Sequence, residues 1–196
     1  ANVLGSIAIG NSTKSKGECS IAIGSNTSAK GDSSITLGKE ASTDTQASES
    51  IAIGANISVI GNNSLALGSS ISINASSAIA IGYITEAHNG SIAIGTHNAA
   101  RNMNSIVIGD YAETGNKNIV SDGKYSIAIG CNSKAKSNYS LALGAFSNTD
   151  GDYAIALGKN VSNTKSIFGV GFNGVNGIDM HRDNYGLYLK GCLLYT

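Results

Sequence analysis

The chain has 196 residues, with 13 Lys or Arg balanced by 13 Asp or Glu, so its formal net charge at pH 7 is zero. Only 13% of the residues are charged. The zero net charge argues against nucleic-acid binding and electrostatic membrane attachment, because both require a basic surface. No apolar run in the sequence reaches the roughly 18 residues of a membrane-spanning helix, and from its first residues we expect no signal peptide. It starts without Met inside a repeat, so we expect a mature form or an excised fragment.

One five-residue pattern dominates the sequence: a small residue, Ile or Leu, a small residue, Ile or Leu, and Gly. Its first copy is Ser6-Ile7-Ala8-Ile9-Gly10. The alternation predicts a short β-strand that carries both large apolar side chains on one face. The closing Gly predicts a turn with positive φ or a close backbone approach. Eleven copies of this pentad end at Gly10, Gly24, Gly38, Gly54, Gly68, Gly82, Gly95, Gly109, Gly130, Gly144 and Gly158.

The spacing of the pentads predicts a second strand in each repeat. The interval from Gly10 to Gly24 recurs between most of the closing glycines. Small or β-branched residues lie three and five positions after the Gly, as at Ile57 and Val59. A further turn residue precedes the next pentad. Each repeat therefore reads as strand, turn, short strand and turn, which is one coil of a β-solenoid.

A single coil of this length is too small to be stable alone. Ordering its residues costs more free energy than burying two Ile side chains returns, so coils have to stack. Even a stack has a thin interior, and the Ile or Leu stripe continues down one whole side. We therefore expect this stripe to be buried against other chains.

At these pentads the sequence resembles the head domain of trimeric autotransporter adhesins, the YadA-like head. The segment Ser20-Ile21-Ala22-Ile23-Gly24-Ser25-Asn26-Thr27-Ser28-Ala29 carries the resemblance, which covers about residues 4–168. It implies a left-handed parallel β-roll of about eleven 14-residue coils in a homotrimer. In that family three chains wrap a common axis and the Ile positions line it. The trimer-core residues implied here are Ile7, Ile9, Ile21, Ile23, Ile51, Ile53, Ile92, Ile94, Ile127 and Ile129.

The resemblance also implies a function. It indicates a non-enzymatic head module without a cofactor, displayed on a bacterial cell surface, that adheres to a host surface, a matrix protein or a glycan. Similar repeats occur in phage tail-fibre and virion proteins, so a phage or phage-derived fibre head on a virion tail is the alternative. Free cysteines at Cys19, Cys131 and Cys192, without a CxxC pair, suit that alternative because virions assemble inside cells.

The end of the chain departs from the repeat. Residues 178–191 look like the strand–turn–strand segment that follows such repeats in some phage-type proteins. We expect β-roll repeats over residues 1–168, then a Gly-rich exit and a short hairpin-like segment over residues 169–196.

Two further features are candidate binding surfaces. The interval from Gly109 to Gly130 is the longest in the series, so this coil contains an insertion, and insertions in solenoids often bind. Tyr125, Tyr139 and Tyr153 recur at one position in three successive coils and predict a stacked ladder, which either packs the coils together or binds sugar rings. The insertion is either a binding loop or an inert surface loop. The candidate binding residues in it are Asp110, Glu113, Lys117, Asp122 and Lys124.

Other solenoid functions fit the sequence poorly. A left-handed β-helix acyltransferase needs repeats in multiples of six and a placed catalytic His, whereas the interval from Gly10 to Gly24 is not such a multiple. An ice-binding solenoid needs a flat array of Thr, but the outward positions mix residues such as Lys14, Ser28 and Glu86. The three His residues share no metal-ligand spacing. We expect neither a catalytic nor a metal site.

Overall fold

The computed structural model describes residues 3–110, 119–121, 123–164, 168–172, 175–183 and 186–190. These residues form β-strands joined by turns, and no helix occurs among them. The chain divides into two compact units, Ala1–Asn98 and Ala99–Thr196.

The strands follow the repeat. Each pentad begins a strand because alternating β-branched and small residues suit a pleated surface, and a second, shorter strand follows the turn. In the first unit the strands are β1 (Ile7–Asn11), β2 (Lys14–Ser15), β3 (Ile21–Ser25), β4 (Ser28–Ala29), β5 (Ile35–Thr43), β6 (Ile51–Val59), β7 (Leu65–Ile73), β8 (Ile79–Tyr83), β9 (Glu86–Ala87) and β10 (Ile92–Thr96). The later strands are β11 (Asn98–Ala100), β12 (Ile106–Gly109), β13 (Ile119–Ser121), β14 (Ile127–Ile129), β15 (Lys134–Ala135), β16 (Leu141–Leu143), β17 (Asn148–Thr149), β18 (Ile155–Lys159), β19 (Ser162–Asn163), β20 (Phe168–Phe172), β21 (Val175–Asp183) and β22 (Gly186–Lys190).

Neighbouring coils pair in parallel and in register. In the first unit β1 lies beside β3, with Ile7 opposite Ile21 and the closing glycines opposite each other. In the second unit β14 lies beside β16, with Ile127 opposite Leu141. The same residue type therefore stacks on itself from coil to coil. The parallel β-solenoid predicted from the repeat is confirmed in each unit.

The interior of each coil is filled by small side chains. The residue between the two Ile or Leu positions points inward, and Ala22 and Ala52 are fully buried there. The second strand contributes larger groups where they fit, such as Ile57 and Ile73, which are also buried. Because this interior is narrow, the Ile and Leu side chains of the pentad lie outside it.

Buried serines close the second turn of the coil. Ser20 Oγ donates a hydrogen bond to the Gly17 carbonyl at 2.7 Å, and Ser34 Oγ does the same to the Gly31 carbonyl at 2.7 Å. A buried hydroxyl needs a hydrogen-bond partner, and here the partner is a backbone carbonyl of the preceding turn. This explains why a small polar residue so often opens the pentad.

The closing glycine is required for the two reasons expected from the sequence, a positive φ and a close backbone approach. Gly24 has a φ of 134°, in a region that other residues rarely adopt. A Cβ atom at Gly24 would also collide with the carbonyl oxygen of Gly38 in the next coil. The first turn can therefore stack in register only where glycine lies on glycine.

The last described strands run differently. The strand β20 pairs in parallel with β18, whereas β21 pairs with β20 and β22 in antiparallel fashion. Met180 of β21 lies opposite Leu189 of β22. The backbone of this segment thus has the strand pairing expected for a hairpin-like end.

Candidate functional site

Each unit carries an exposed column of large apolar side chains, here called the pentad stripe. It consists of the two Ile or Leu residues of every pentad, which point away from the buried Ala between them. Ile7 and Ile9 are 45% and 57% exposed, and Leu143 in the second unit is 42% exposed. Each of the ten Ile residues predicted for the trimer core is exposed or half-buried within its own chain. A contiguous exposed apolar surface of this kind is typical of a protein interface.

The three tyrosines predicted to stack lie in one ladder at the second turn. The rings of Tyr125 and Tyr139 are nearly parallel with centroids 5.2 Å apart, and those of Tyr139 and Tyr153 are 5.0 Å apart. All three side chains are exposed. The hydroxyl of Tyr125 also donates to the sulfur of Met103 at 3.8 Å. The ladder is a flat aromatic edge on the second unit, and its use as a binding surface stays a prediction.

The predicted binding loop is described only in part. Asp110 follows β12, and Lys124 is an exposed residue of the second turn whose N–H donates to Asn138 Oδ1 at 3.0 Å. Glu113, Lys117 and Asp122 lie outside the described residues. A binding role for this loop remains a prediction, as it was from the sequence.

Sequence reasoning missed a depression in the second unit, here called the Phe146 pocket. It has a volume of about 220 Å³ and is lined by Asn132, Lys134, Lys136, Phe146 and Asn148. These residues come from the first turns and short strands of two adjacent coils. The available signal was Phe146 itself, a large aromatic residue at a repeat position that is often Asn or Ser.

Charged side chains of the described residues pair both between adjacent coils and within one coil. Lys30 Nζ lies 3.7 Å from Asp44 Oδ2. The backbone N–H and then the hydroxyl of Thr45 lower the pKa of Asp44 below 3.8, and the Lys30 ammonium lowers it further. Within one coil, His88 Nε2 lies 2.8 Å from Glu86 Oε1. Among the residues that the structure describes, no three His, Cys, Asp or Glu side chains form a group that would hold a metal ion.

Comparison with known families decides what these repeats are. The profile of the YadA head domain repeat (2 copies) matches residues 4–27, 15–41, 89–112, 121–147 and 135–160, which together exceed half of the chain. The chain belongs to the YadA head domain repeat family. The resemblance inferred from the pentads is thereby confirmed. A comparison with curated proteins gave no match.

Membership of the YadA head family indicates the general role of the chain. YadA head domains are structural modules of surface-displayed, trimeric adhesins, so this chain is an adhesin-like head module. Within the described part of the chain, no helix is long and apolar enough to cross a membrane.

Proposed function

We propose that this chain is the non-enzymatic head of a homotrimeric surface adhesin that binds a host surface, a matrix protein or a glycan. The pentad stripe carries this proposal. Its Ile and Leu residues are large apolar side chains, yet they lie outside the coil interior, to which most pentads contribute only a buried alanine. Two further copies of the chain would cover the stripe and place the ten Ile residues on a shared axis.

A trimer would also suit adhesion. Three copies present every outer surface three times, so weak contacts to a repetitive ligand add up to a useful avidity. The neutral chain has no general attraction to nucleic acid, which leaves protein or glycan surfaces as ligands. In this proposal residues 1–168 form the adhesive β-roll, residues 169–196 form its exit segment, and the module is displayed on the outside of a bacterial cell.

The alternative is a phage or phage-derived fibre head on a virion tail. The antiparallel pairing of β21 with β22 favours it, because a strand–turn–strand segment of this kind follows the repeats in some phage-type proteins. The genes adjacent to the coding sequence would separate the two, since a fibre gene lies among virion genes and an adhesin gene does not.

The native mass in solution tests the proposal most directly. Light scattering after size exclusion should give three times the chain mass of 19.8 kDa. The intact trimer should then be tested for binding to immobilised matrix proteins and glycans. A stable species with the mass of a single chain would contradict the trimeric head, because the pentad stripe would then be exposed to water in the native protein.

A further inference from the structure

Phe146 holds a backbone conformation that its own side chain disfavours. Its φ is 59°, in the left-handed region where a bulky residue is an outlier. The equivalent residues of the coils before and after it, Asn132 and Asn160, share this conformation with φ values of 54° and 58°. Asparagine tolerates it much better than phenylalanine does.

Burial does not account for the aromatic ring at this position. The Phe146 side chain is 44% exposed within its own chain, so the packing of this chain leaves a large part of its apolar surface uncovered. The turn imposes this conformation on the equivalent residues of other coils, including Ile84 with a φ of 50°. The distinguishing feature of Phe146 is its exposed aromatic ring, which can stack on a ligand.

The groups around the ring suit an acidic, hydroxylated ligand. Lys134 and Lys136 line the pocket with Phe146, and their ammonium groups donate to carboxylates. Lys136 Nζ already lies 2.8 Å from Asp150 Oδ1, and Asn148 Nδ2 donates to Asp150 Oδ2 at 3.1 Å. The ion pairs of the described residues do not include the Lys134 ammonium. The pocket therefore has one ammonium group left for an anion.

We propose that the Phe146 pocket binds a monosaccharide unit that carries a carboxylate, as in a uronic or sialic acid. The apolar face of the sugar packs on the Phe146 ring, and the carboxylate pairs with Lys134. The side-chain amides of Asn132 and Asn148 border the sugar hydroxyls. A small concave site that combines one aromatic ring with a few polar groups is typical of ligand recognition. The inference rests on the adhesive function proposed above and specifies its ligand class.

The first unit provides an internal control. Lys14 and Lys16 occupy the repeat positions of Lys134 and Lys136, but Asn26 takes the position of Phe146. Lys30 replaces Asp150 there, so this region is more basic than the pocket. If positive charge alone attracted the ligand, the first unit would bind better. If the aromatic ring is required for binding, the acidic sugar binds only at the Phe146 pocket.

The test is a calorimetric titration of the full chain with N-acetylneuraminic acid and, separately, with glucuronic acid. We expect saturable binding of at least one of them, and no comparable binding of neutral galactose or of acetate. Phe146→Asn should weaken binding about ten-fold while the melting temperature stays the same or rises. Phe146→Tyr should retain binding. Lys134→Gln should weaken it, whereas the matched control Lys14→Gln should leave it unchanged.

Several results would overturn the inference. It fails if neither acidic sugar binds, if acetate binds as well as the sugars do, or if Phe146→Asn binds as tightly as the parent chain. These failures differ from a failure of the proposed head function. A trimer that adheres to a host surface but binds neither sugar would refute only the proposed ligand of the Phe146 pocket. A monomeric chain would refute the trimeric head, whether or not the sugars bind.

Discussion

Single residues in this chain are constrained mainly by the stacking of identical turns. Gly24 shows this clearly, since its positive φ and the neighbouring carbonyl of Gly38 both exclude a side chain. Alternating apolar residues that end in Gly were enough to predict this turn, because the requirement is local to the repeat. The strain at Phe146 could not be predicted in the same way, because a left-handed backbone is visible only in the folded coil.

Gly24→Ala should destabilise the chain by about 3 kcal/mol or more, because backbone strain and overpacking act together at that site. Chemical denaturation followed by circular dichroism would measure the loss. The adjacent Ser25→Ala, in the same strand, is the matched control and should change the free energy of unfolding by no more than about 0.5 kcal/mol. Equal stability of the two variants would show that the turns do not stack glycine on glycine.

At the scale of the strand, one pentad serves two surfaces. In β6, Ala52 is fully buried in the coil, while Ile51 and Ile53 lie half-buried on the outside. Alternation predicts that the two Ile residues share a face, but it does not state which face is the interior. The packing of the coil decides this, because the two strands share a narrow interior: where the second strand contributes Ile57, the pentad contributes only Ala52.

Ala52→Leu should therefore destabilise the fold even though it adds apolar surface. Extra methylene groups in a filled interior typically cost about 1–3 kcal/mol. The free energy of unfolding by denaturant measures the effect. Ala55→Leu, at a half-buried position of the same strand, is the control and should cost much less. A tolerated Leu at 52 would mean that the coil interior is wider than its alanine ladder indicates.

For the whole molecule, the pentad stripe and the Phe146 pocket have separate roles. The stripe is apolar and continues through each unit, as an assembly surface should. The pocket is local, polar and built from two coils of the second unit. In the proposed trimer, disrupting assembly should reduce adhesion by removing multivalency, while leaving the pocket of each single chain intact.

The double variant Ile51→Ser and Ile53→Ser tests this separation. Loss of apolar contact on the stripe should lower the native mass from that of three chains toward the single-chain mass of 19.8 kDa. Each chain should keep its β-rich circular dichroism spectrum, because both side chains lie outside the coil interior. Ser58→Thr, on the exposed face of the second strand, is the control and should leave the mass unchanged. An unaltered mass in the double variant would place the assembly surface elsewhere.

The sequence by itself determined the repeat, the strand at each pentad, the turn at each closing Gly and the parallel solenoid. These features follow from local alternation and from a period too short for any other stacked unit, so no distant contact is needed to infer them. Only the tertiary structure decided which side chains fill the coils, such as Ala52 and Ile57. It also decided that Phe146 lies beside Lys134 and Asn148. Those residues meet because adjacent coils stack in register, which brings side chains about one repeat apart into contact, and the chain order alone does not reveal the pocket that they form.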